Sequence, residues 1–181
     1  TKLTGREMPK DLNRSVAKYL HTLTDFERIS DHALNIAESA REIKEKGITF
    51  TPNALHEMDV MMKALERIVH ITVSSFAEND LDKAYLVEPL EEVIDDLCEK
   101  MRFNHVDRLT KGECTILNGY VFNDLIGNYE RISDHCSNTA ATLIEMEEGV
   151  FGLHTYTNEV KDRHTHNFEE NYKFFSDAFT L

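Results

Sequence analysis

One helical motif occurs twice in this chain. The segment ERISDHALNIA at 27–37 returns as ERISDHCSNTA at 130–140, an offset of 103 residues, with eight of eleven positions identical. A repeat of this kind indicates duplication of a structural unit. Both copies are therefore expected to adopt the same local structure, and the fold must hold two equivalent elements.

Hydrophobic spacing predicts a long helix around each copy. Apolar side chains recur at intervals of three and four residues from Lys10 to Lys44 and again from Glu113 to Glu147. Two more helices with this spacing lie between them, and the tail after His154 is expected to form a short docking helix. Only seven Gly and three Pro occur, which favours helices over strands. We predict an all-α fold with four long antiparallel helices plus a C-terminal tail helix.

Local signals mark where these helices begin and end. Thr51 followed by Pro52 is typical of an N-cap with proline in the first turn. Asn79-Asp80 is a second predicted cap, and Pro89 is expected to kink the helix that follows or to break it near its start. Glycines predict the helix ends, at Gly47, Gly112, Gly149 and Gly152.

The charge balance excludes one class of partner. The formal net charge is −13 at pH 7, whereas nucleic-acid binding requires a basic face. The same charge opposes binding to an anionic membrane surface. The sequence has no apolar run of about 18 residues, so no membrane span is expected in this chain. Three cysteines without a CxxC spacing indicate buried thiols in a reducing compartment.

Each copy of the motif carries a pair of carboxylates. Glu27 and Asp31 are four residues apart, as are Glu130 and Asp134, so each pair stacks on one helix face roughly 6 Å apart. Two like charges at this spacing repel each other unless a cation lies between them. A neighbouring arginine from the motif or a bound metal ion is the expected compensation.

A third acidic group lies on the helix that precedes the second copy. Its members are spaced by three or four residues: Glu88, Glu91, Asp95 and Glu99. Packing against the second motif is expected to bring Glu91 and Asp95 toward Glu130 and Asp134. Oxygen-rich sites of this type suit Mg, Mn or Fe, whereas Zn usually takes more nitrogen or sulfur. The alternative left open is that these acids form solvated helix faces.

The sequence carries no recognisable catalytic motif. A ferritin-like di-metal site requires Glu-x-x-His pairs, and every His here has a non-acidic residue three positions earlier. Serine or cysteine in a nucleophile elbow is likewise absent from the sequence. His32 and His135 lie on the far side of the motif from the carboxylates and are interpreted as structural or surface residues. We therefore predict that the protein is not an enzyme.

At these residues the sequence resembles the PhoU family. That family's motif is Glu-Arg-Ile-x-Asp-x-x-x-Asn, and both copies match it through Asn35 and Asn138. The resemblance implies PhoU-like tandem three-helix bundles, here lacking the first two helices. It implies three segments: 1–50 as the last helix of the first unit, 51–150 as the second three-helix unit, and 151–181 as the docking tail.

The resemblance also implies a role and a ligand. It implies a negative regulator of phosphate uptake and signalling whose acidic patches bind a multinuclear cluster of Fe, Zn or Mn ions, with no organic cofactor. The metal ligands it implies are Glu27, Asp31, Glu91, Asp95, Glu130 and Asp134. These six residues include both motif pairs and the centre of the acidic strip.

Two segments are similar to one branch of this family. The tail beyond Phe151 and the segment from His105 to Cys114 resemble the PhoU-like domain fused behind sodium–phosphate cotransporters. The resemblance implies the cytoplasmic C-terminal part of such a transporter, tethered to the inner face of the cell membrane. Its partners would be the transporter membrane domain or other phosphate-uptake and signalling proteins.

Two further functions stay open at this point. One is a structural helical adaptor or dimerisation domain with no metal role; the other is a metal-dependent phosphohydrolase, although His ligands are lacking. The first long helix also has a wide apolar arc. One side is expected to pack on the second helix, and the side with Leu20, Leu23 and Leu34 predicts a homo-oligomer.

Overall fold

The computed structural model describes residues 10–151 and 158–181, and these ranges contain helices and no strand. In chain order the helices are α1 (Lys10–Lys46), α2 (Pro52–Glu78), α3 (Leu81–Ala84), α4 (Val87–Thr110), α5 (Ile116–Phe151) and α6 (Asn158–Ala178). The all-α prediction is confirmed, with four long helices and a tail helix. The single turn of α3 was not predicted.

Most of the predicted helix boundaries are confirmed. The Thr51 hydroxyl oxygen accepts a hydrogen bond from the Ala54 N–H at 3.3 Å, and Pro52 opens α2. Gly47 and Gly112 follow α1 and α4 with φ of +62° and +71°, a conformation that favours glycine. Gly149, in contrast, lies inside α5, and Gly152 falls outside the described residues.

The chain breaks earlier than expected before α4. Asp80 caps α3 by accepting a hydrogen bond from the Lys83 N–H at 3.1 Å. The chain then turns, and α4 begins at Val87. Pro89 therefore lies in the first turn of α4, where the missing N–H has no intrahelical partner to lose. The chain break that Pro89 predicted therefore lies before the proline, between α3 and α4.

The two motif helices pack against each other in antiparallel directions. His32 Nδ1 donates to Asn128 Oδ1 at 2.9 Å, and His135 Nδ1 donates to Asp25 Oδ1 at 3.0 Å. These contacts are equivalent, because each partner is shifted by the same 103 residues. The duplicated helices are thus related by a local two-fold axis, beside which the two imidazole rings stack with centroids 6.0 Å apart.

The sequence predicted that one side of α1 packs on α2, and this contact is limited to a few aromatic side chains. Helix α1 lies along α5, and it meets α2 through aromatic side chains. The Phe76 ring contacts Tyr19 at 6.0 Å and Phe26 at 5.4 Å between centroids. The physical reason is hydrogen bonding, because the histidine of each motif helix donates to an acceptor on the other motif helix.

Helices α2, α4 and α5 form the core, and α6 packs on α4. The largest fully buried apolar side chains come from these three helices: Met61, Ile68, Leu90, Ile94, Leu97, Met101, Phe122, Ile126 and Leu143. Phe175 anchors α6 and is 2% exposed, while the Tyr172 hydroxyl donates to Asp96. The predicted C-terminal tail helix is confirmed. None of the helices in the described ranges has the length and apolar character that crossing a membrane requires.

A buried ion pair lies inside one end of this core. Arg108 donates to both Glu57 carboxylate oxygens at 2.7 and 2.8 Å, and Asn104 donates to the same group at 2.9 Å. The guanidinium also lies 5.2 Å from the centre of the Phe122 ring. Both charged side chains are nearly inaccessible, so each depends on the other for compensation.

Equivalent faces of α1 and α5 differ sharply in burial. Ile126 of α5 is fully buried, whereas Leu23, its counterpart on α1, is 62% exposed. Leu20 and Leu34 are also exposed. Helices α2 and α4 cover the face of α5, and no described residue covers the matching face of α1. The predicted apolar stripe on α1 is therefore open to solvent in the described part of the chain.

This open stripe predicts self-association. Covering each exposed leucine is worth about 1.5–3 kcal/mol, so a dimer or larger assembly is expected. Replacing Leu23 and Leu34 together by Glu should shift the protein toward monomer in a concentration series followed by analytical ultracentrifugation. Val106→Glu alters an equally exposed side chain on α4 and serves as the control. A clean wild-type monomer at high concentration would contradict the prediction.

Candidate metal centre

Three carboxylates from two helices converge between α4 and α5. Glu91 and Asp95 lie one turn apart on α4, and Asp134 faces them from the second motif on α5. One carboxylate oxygen of each lies within 4.8 Å of the other two. The antiparallel packing of α4 against α5 therefore creates the juxtaposition expected from the acidic strip. Within the described residues this is the one group of three side chains with such spacing.

Asp95 supplies the clearest sign that the group suits a cation. Its Oδ1 is buried and has no hydrogen-bond partner. A buried carboxylate oxygen without a donor is costly, because its lost hydration is not replaced. Three carboxylates offer hard oxygen ligands, which Mg²⁺, Mn²⁺ and iron accept. The donor set thus fits such an ion, and the identity of the metal stays a prediction.

The electrostatics of the group favour protonation when no cation is present. Burial, followed by the charges of Asp95, Glu88, Glu92 and Asp134, raises the pKa of Glu91 to about 7. Burial also raises the pKa of Asp95 to about 6, with further contributions from Glu130 and Asp134, while Arg102 opposes the increase. A bound cation would offset both increases, because its positive charge stabilises the ionised carboxylates, so metal binding is expected to release protons.

Glu130, the remaining predicted ligand on α5, is engaged elsewhere. Its carboxylate forms an ion pair with Arg102 of α4. The sequence interpretation expected a motif arginine or a bound metal ion to compensate each carboxylate pair. Arg131 does so for Asp134, at 3.4 Å, whereas the counterion of Glu130 comes from another helix. Arg102 was missed in this role. The available signal was its position seven residues after Asp95, which places both on one face of α4.

The carboxylates of the first motif are isolated. Glu27 and Asp31 are exposed on α1, and Arg28 lies 3.7 Å from Asp31. No group of three metal-ligating side chains in the described ranges includes either residue. Metal binding by Glu27 and Asp31 stays a prediction, and the described helices provide no third carboxylate near them.

The other members of the motif have structural contacts. Asn35 donates to Asn128 Oδ1 at 3.1 Å, beside the His32 contact. These bonds lie between α1 and α5, consistent with the structural interpretation of the histidines. Cys98 lies close to the acidic group, but burial raises the pKa of its thiol to about 12. The thiol therefore stays neutral at ordinary pH and is a poor ligand.

The raised pKa values predict how metal-free stability depends on pH. Unfolded Glu91 and Asp95 would titrate near 4.5 and 3.8, below their folded values of about 7 and 6. Their folded forms therefore bind more protons, so this contribution is fully present at low pH and is lost as pH rises through 6–7. After screening by solvent, we expect metal-free protein to be about 1–2 kcal/mol more stable at pH 5 than at pH 8 from these groups.

Urea unfolding in chelator at both pH values measures this difference. Glu91→Gln should reduce it, since one of the two groups no longer titrates. Glu99→Gln, an exposed change on the same helix, should leave it as in the wild type. Equal pH dependence for wild type and Glu91→Gln would mean that Glu91 titrates normally in the folded protein.

Known proteins with a related sequence point to one family. Residues 58–143, which contain α4 and the second motif, match the model of the PhoU domain. The Thermotoga maritima phosphate-specific transport system accessory protein PhoU homolog 1 is 29% identical over 136 residues. The comparisons support a PhoU-family domain in this chain. The segment that matches contains Glu91, Asp95 and Asp134.

Other PhoU relatives match at similar levels. The Streptococcus pneumoniae PhoU homolog is 26% identical over 136 residues, and the Deinococcus radiodurans PhoU homolog is 24% identical over 130 residues. These three alignments cover 75%, 75% and 70% of this chain, and 58%, 62% and 58% of the relatives. The chain thus spans about three fifths of the length of the curated relatives it matches. No solved structure matches at a significant level.

Proposed function

We propose that this chain is a regulatory PhoU-like domain that modulates phosphate transport and binds metal ions between α4 and α5. The observation that carries the proposal is the carboxylate group of Glu91, Asp95 and Asp134, with its buried unpartnered oxygen, inside the PhoU-matching segment. The relatives are named as accessory proteins of phosphate-specific transport systems, which supports a regulatory role here.

The geometry suggests how such a domain responds to a cation. In the metal-free protein the three carboxylates repel one another across the α4–α5 interface. A bound cation supplies positive charge that links the two helices. Glu91 and Asp95 would hold it from α4, and Asp134 would hold it from α5. Since α6 packs on α4, a cation-induced shift of α4 would also move the tail helix.

The proposal includes the transporter setting that the sequence resemblance implies. The chain would be the cytoplasmic C-terminal part of a sodium-dependent phosphate transporter, held at the inner face of the membrane. Its partner would be the membrane domain of that transporter. The complete reading frame tests this: about eight or more apolar spans of membrane-crossing length before this segment would support it.

A second candidate is favoured by a different observation. The open apolar face of α1 suits a structural adaptor or dimerisation domain, which needs no metal. This alternative predicts that disrupting the α1 face abolishes function while changing Asp95 or Asp134 has no effect. Bound metal separates the two candidates.

Elemental analysis tests the metal role directly. We expect at least one transition-metal ion per chain in protein purified without chelator or nickel resin. The triple change of Glu91→Gln, Asp95→Asn and Asp134→Asn should remove it, whereas Glu27→Gln with Asp31→Asn should not. The metal role would be overturned if the purified protein contained no metal and also failed to take up Fe, Mn or Zn.

A further inference from the structure

The ion pair between Arg102 and Glu130 borders the carboxylate group. Both residues are partly exposed, at 42% and 36% of their side chains. Glu130 lies one turn before Asp134 on α5, and its charge is among the causes that raise the pKa of Asp95. A fourth carboxylate is therefore close to the group and is held by an arginine.

Arg102 also acts on the group itself. Its charge opposes the increase in the pKa of Asp95, so the guanidinium stabilises the ionised carboxylate. A guanidinium stays protonated at any ordinary pH, and this positive charge cannot be withdrawn by titration. The guanidinium charge therefore partly stabilises the ionised carboxylates as a bound cation would. It also repels any cation that approaches.

We propose that Arg102 competes with the cation for the carboxylates. It holds Glu130 out of the carboxylate group, and metal binding requires or drives the opening of the Arg102–Glu130 ion pair. The inference rests on the proposed metal site. It assigns a function to Glu130, the predicted metal ligand on α5 that lies outside the carboxylate group. The competing charge lowers the affinity of the site for the cation, so a higher free cation concentration is needed to fill it.

Exposure of the pair makes the exchange feasible. An ion pair that remains partly in water contributes little net stability, typically about 0–1 kcal/mol, because solvent competes for both charges. Arginine has a long, flexible stem and can move its charge into solvent without disturbing the core. Arg108, by contrast, is buried against Glu57 and cannot exchange partners in this way.

Calorimetric titration with Mn²⁺ at pH 7 tests the competitor role. Arg102→Gln removes the opposing charge and frees Glu130, so we expect Mn²⁺ to bind roughly tenfold more tightly or better. Arg102→Lys keeps the charge and should stay within about threefold of wild type. Lys100→Gln removes the same charge from an exposed position two residues away and should also stay near wild type, which controls for net charge.

The double variant separates ligand exchange from simple repulsion. If Glu130 joins the site once Arg102 is gone, Glu130→Gln should weaken Mn²⁺ binding much more in the Arg102→Gln background than in the wild type. Equal effects in both backgrounds would overturn the exchange and leave only a charge effect. Circular dichroism of each variant checks that the helices remain folded.

The outcomes also separate this inference from the proposed function. Mn²⁺ binding that depends on Asp95 and Asp134 but is unchanged by Arg102→Gln overturns the competitor role while the metal site stands. Binding that appears only in Arg102→Gln supports the competitor role. Absence of binding in every variant overturns the metal site and this inference together.

Discussion

Glu57→Leu should lower the free energy of unfolding by about 3–5 kcal/mol, because it leaves the Arg108 guanidinium charged and buried without its carboxylate. Arg108 donates to both Glu57 oxygens, and both side chains are almost fully shielded from water. For a chain of this length the loss corresponds to a decrease in melting temperature on the order of 10 °C. Thermal and urea unfolding measure it.

Two controls make the interpretation specific. Glu66→Leu introduces the same substitution at an exposed position of α2 and should change stability by no more than about 0.5 kcal/mol. The double change of Glu57→Leu with Arg108→Met replaces both charges by apolar groups and should recover most of the loss. A double variant as unstable as Glu57→Leu would show that packing, rather than the unpaired charge, causes the effect.

Asp134→Asn should have opposite consequences in metal-free and metal-loaded protein. Without metal, the change relieves repulsion from Glu91 and Asp95, so stability should stay unchanged or rise by a few tenths of a kcal/mol. With metal at about one hundred times its dissociation constant, wild type should gain about 2.7 kcal/mol, and the variant should lose most of that gain. Thermal melts with and without Mn²⁺ measure both effects.

The first motif provides the matched control. Asp31→Asn makes the same change at the equivalent position of the duplicated helix, which belongs to no group of three metal-ligating side chains among the described residues. If the metal is held only between α4 and α5, the metal-induced increase in melting temperature of this variant should equal that of wild type. A smaller increase would show that the first motif also binds metal. A large loss of stability for metal-free Asp134→Asn would mean that Asp134 has an essential protein partner instead of a ligand role.

Local patterns predicted much of the candidate site. Side-chain spacing determines which residues share a helix face, so the i, i+4 step was enough to pair Glu91 with Asp95. It was not enough to predict the partner of Glu130. Arg102 reaches that residue through a long side chain from another helix, and only the spacing between α4 and α5 decides which acid it meets.

The ion pair inside the core shows the same limit. Glu57 lies within the apolar stripe of α2, and the stripe itself gives no indication of a partner. Arg108 is 51 residues away in sequence. A charge can be buried only when tertiary packing brings compensation to it, and helix periodicity contains no information about contacts at that separation.

The sequence by itself determined the long helices, most of their ends and the duplication, because these follow from spacing and from backbone preferences within a few residues. The tertiary structure alone decided that the duplicated helices pair with each other and that only the second motif meets another acidic helix. Identical motifs thus have different surroundings: Asp134 faces Glu91 and Asp95, while Asp31 faces solvent. The physical reason is that a carboxylate's charge interactions depend on which helix lies opposite, and that is fixed by long-range packing.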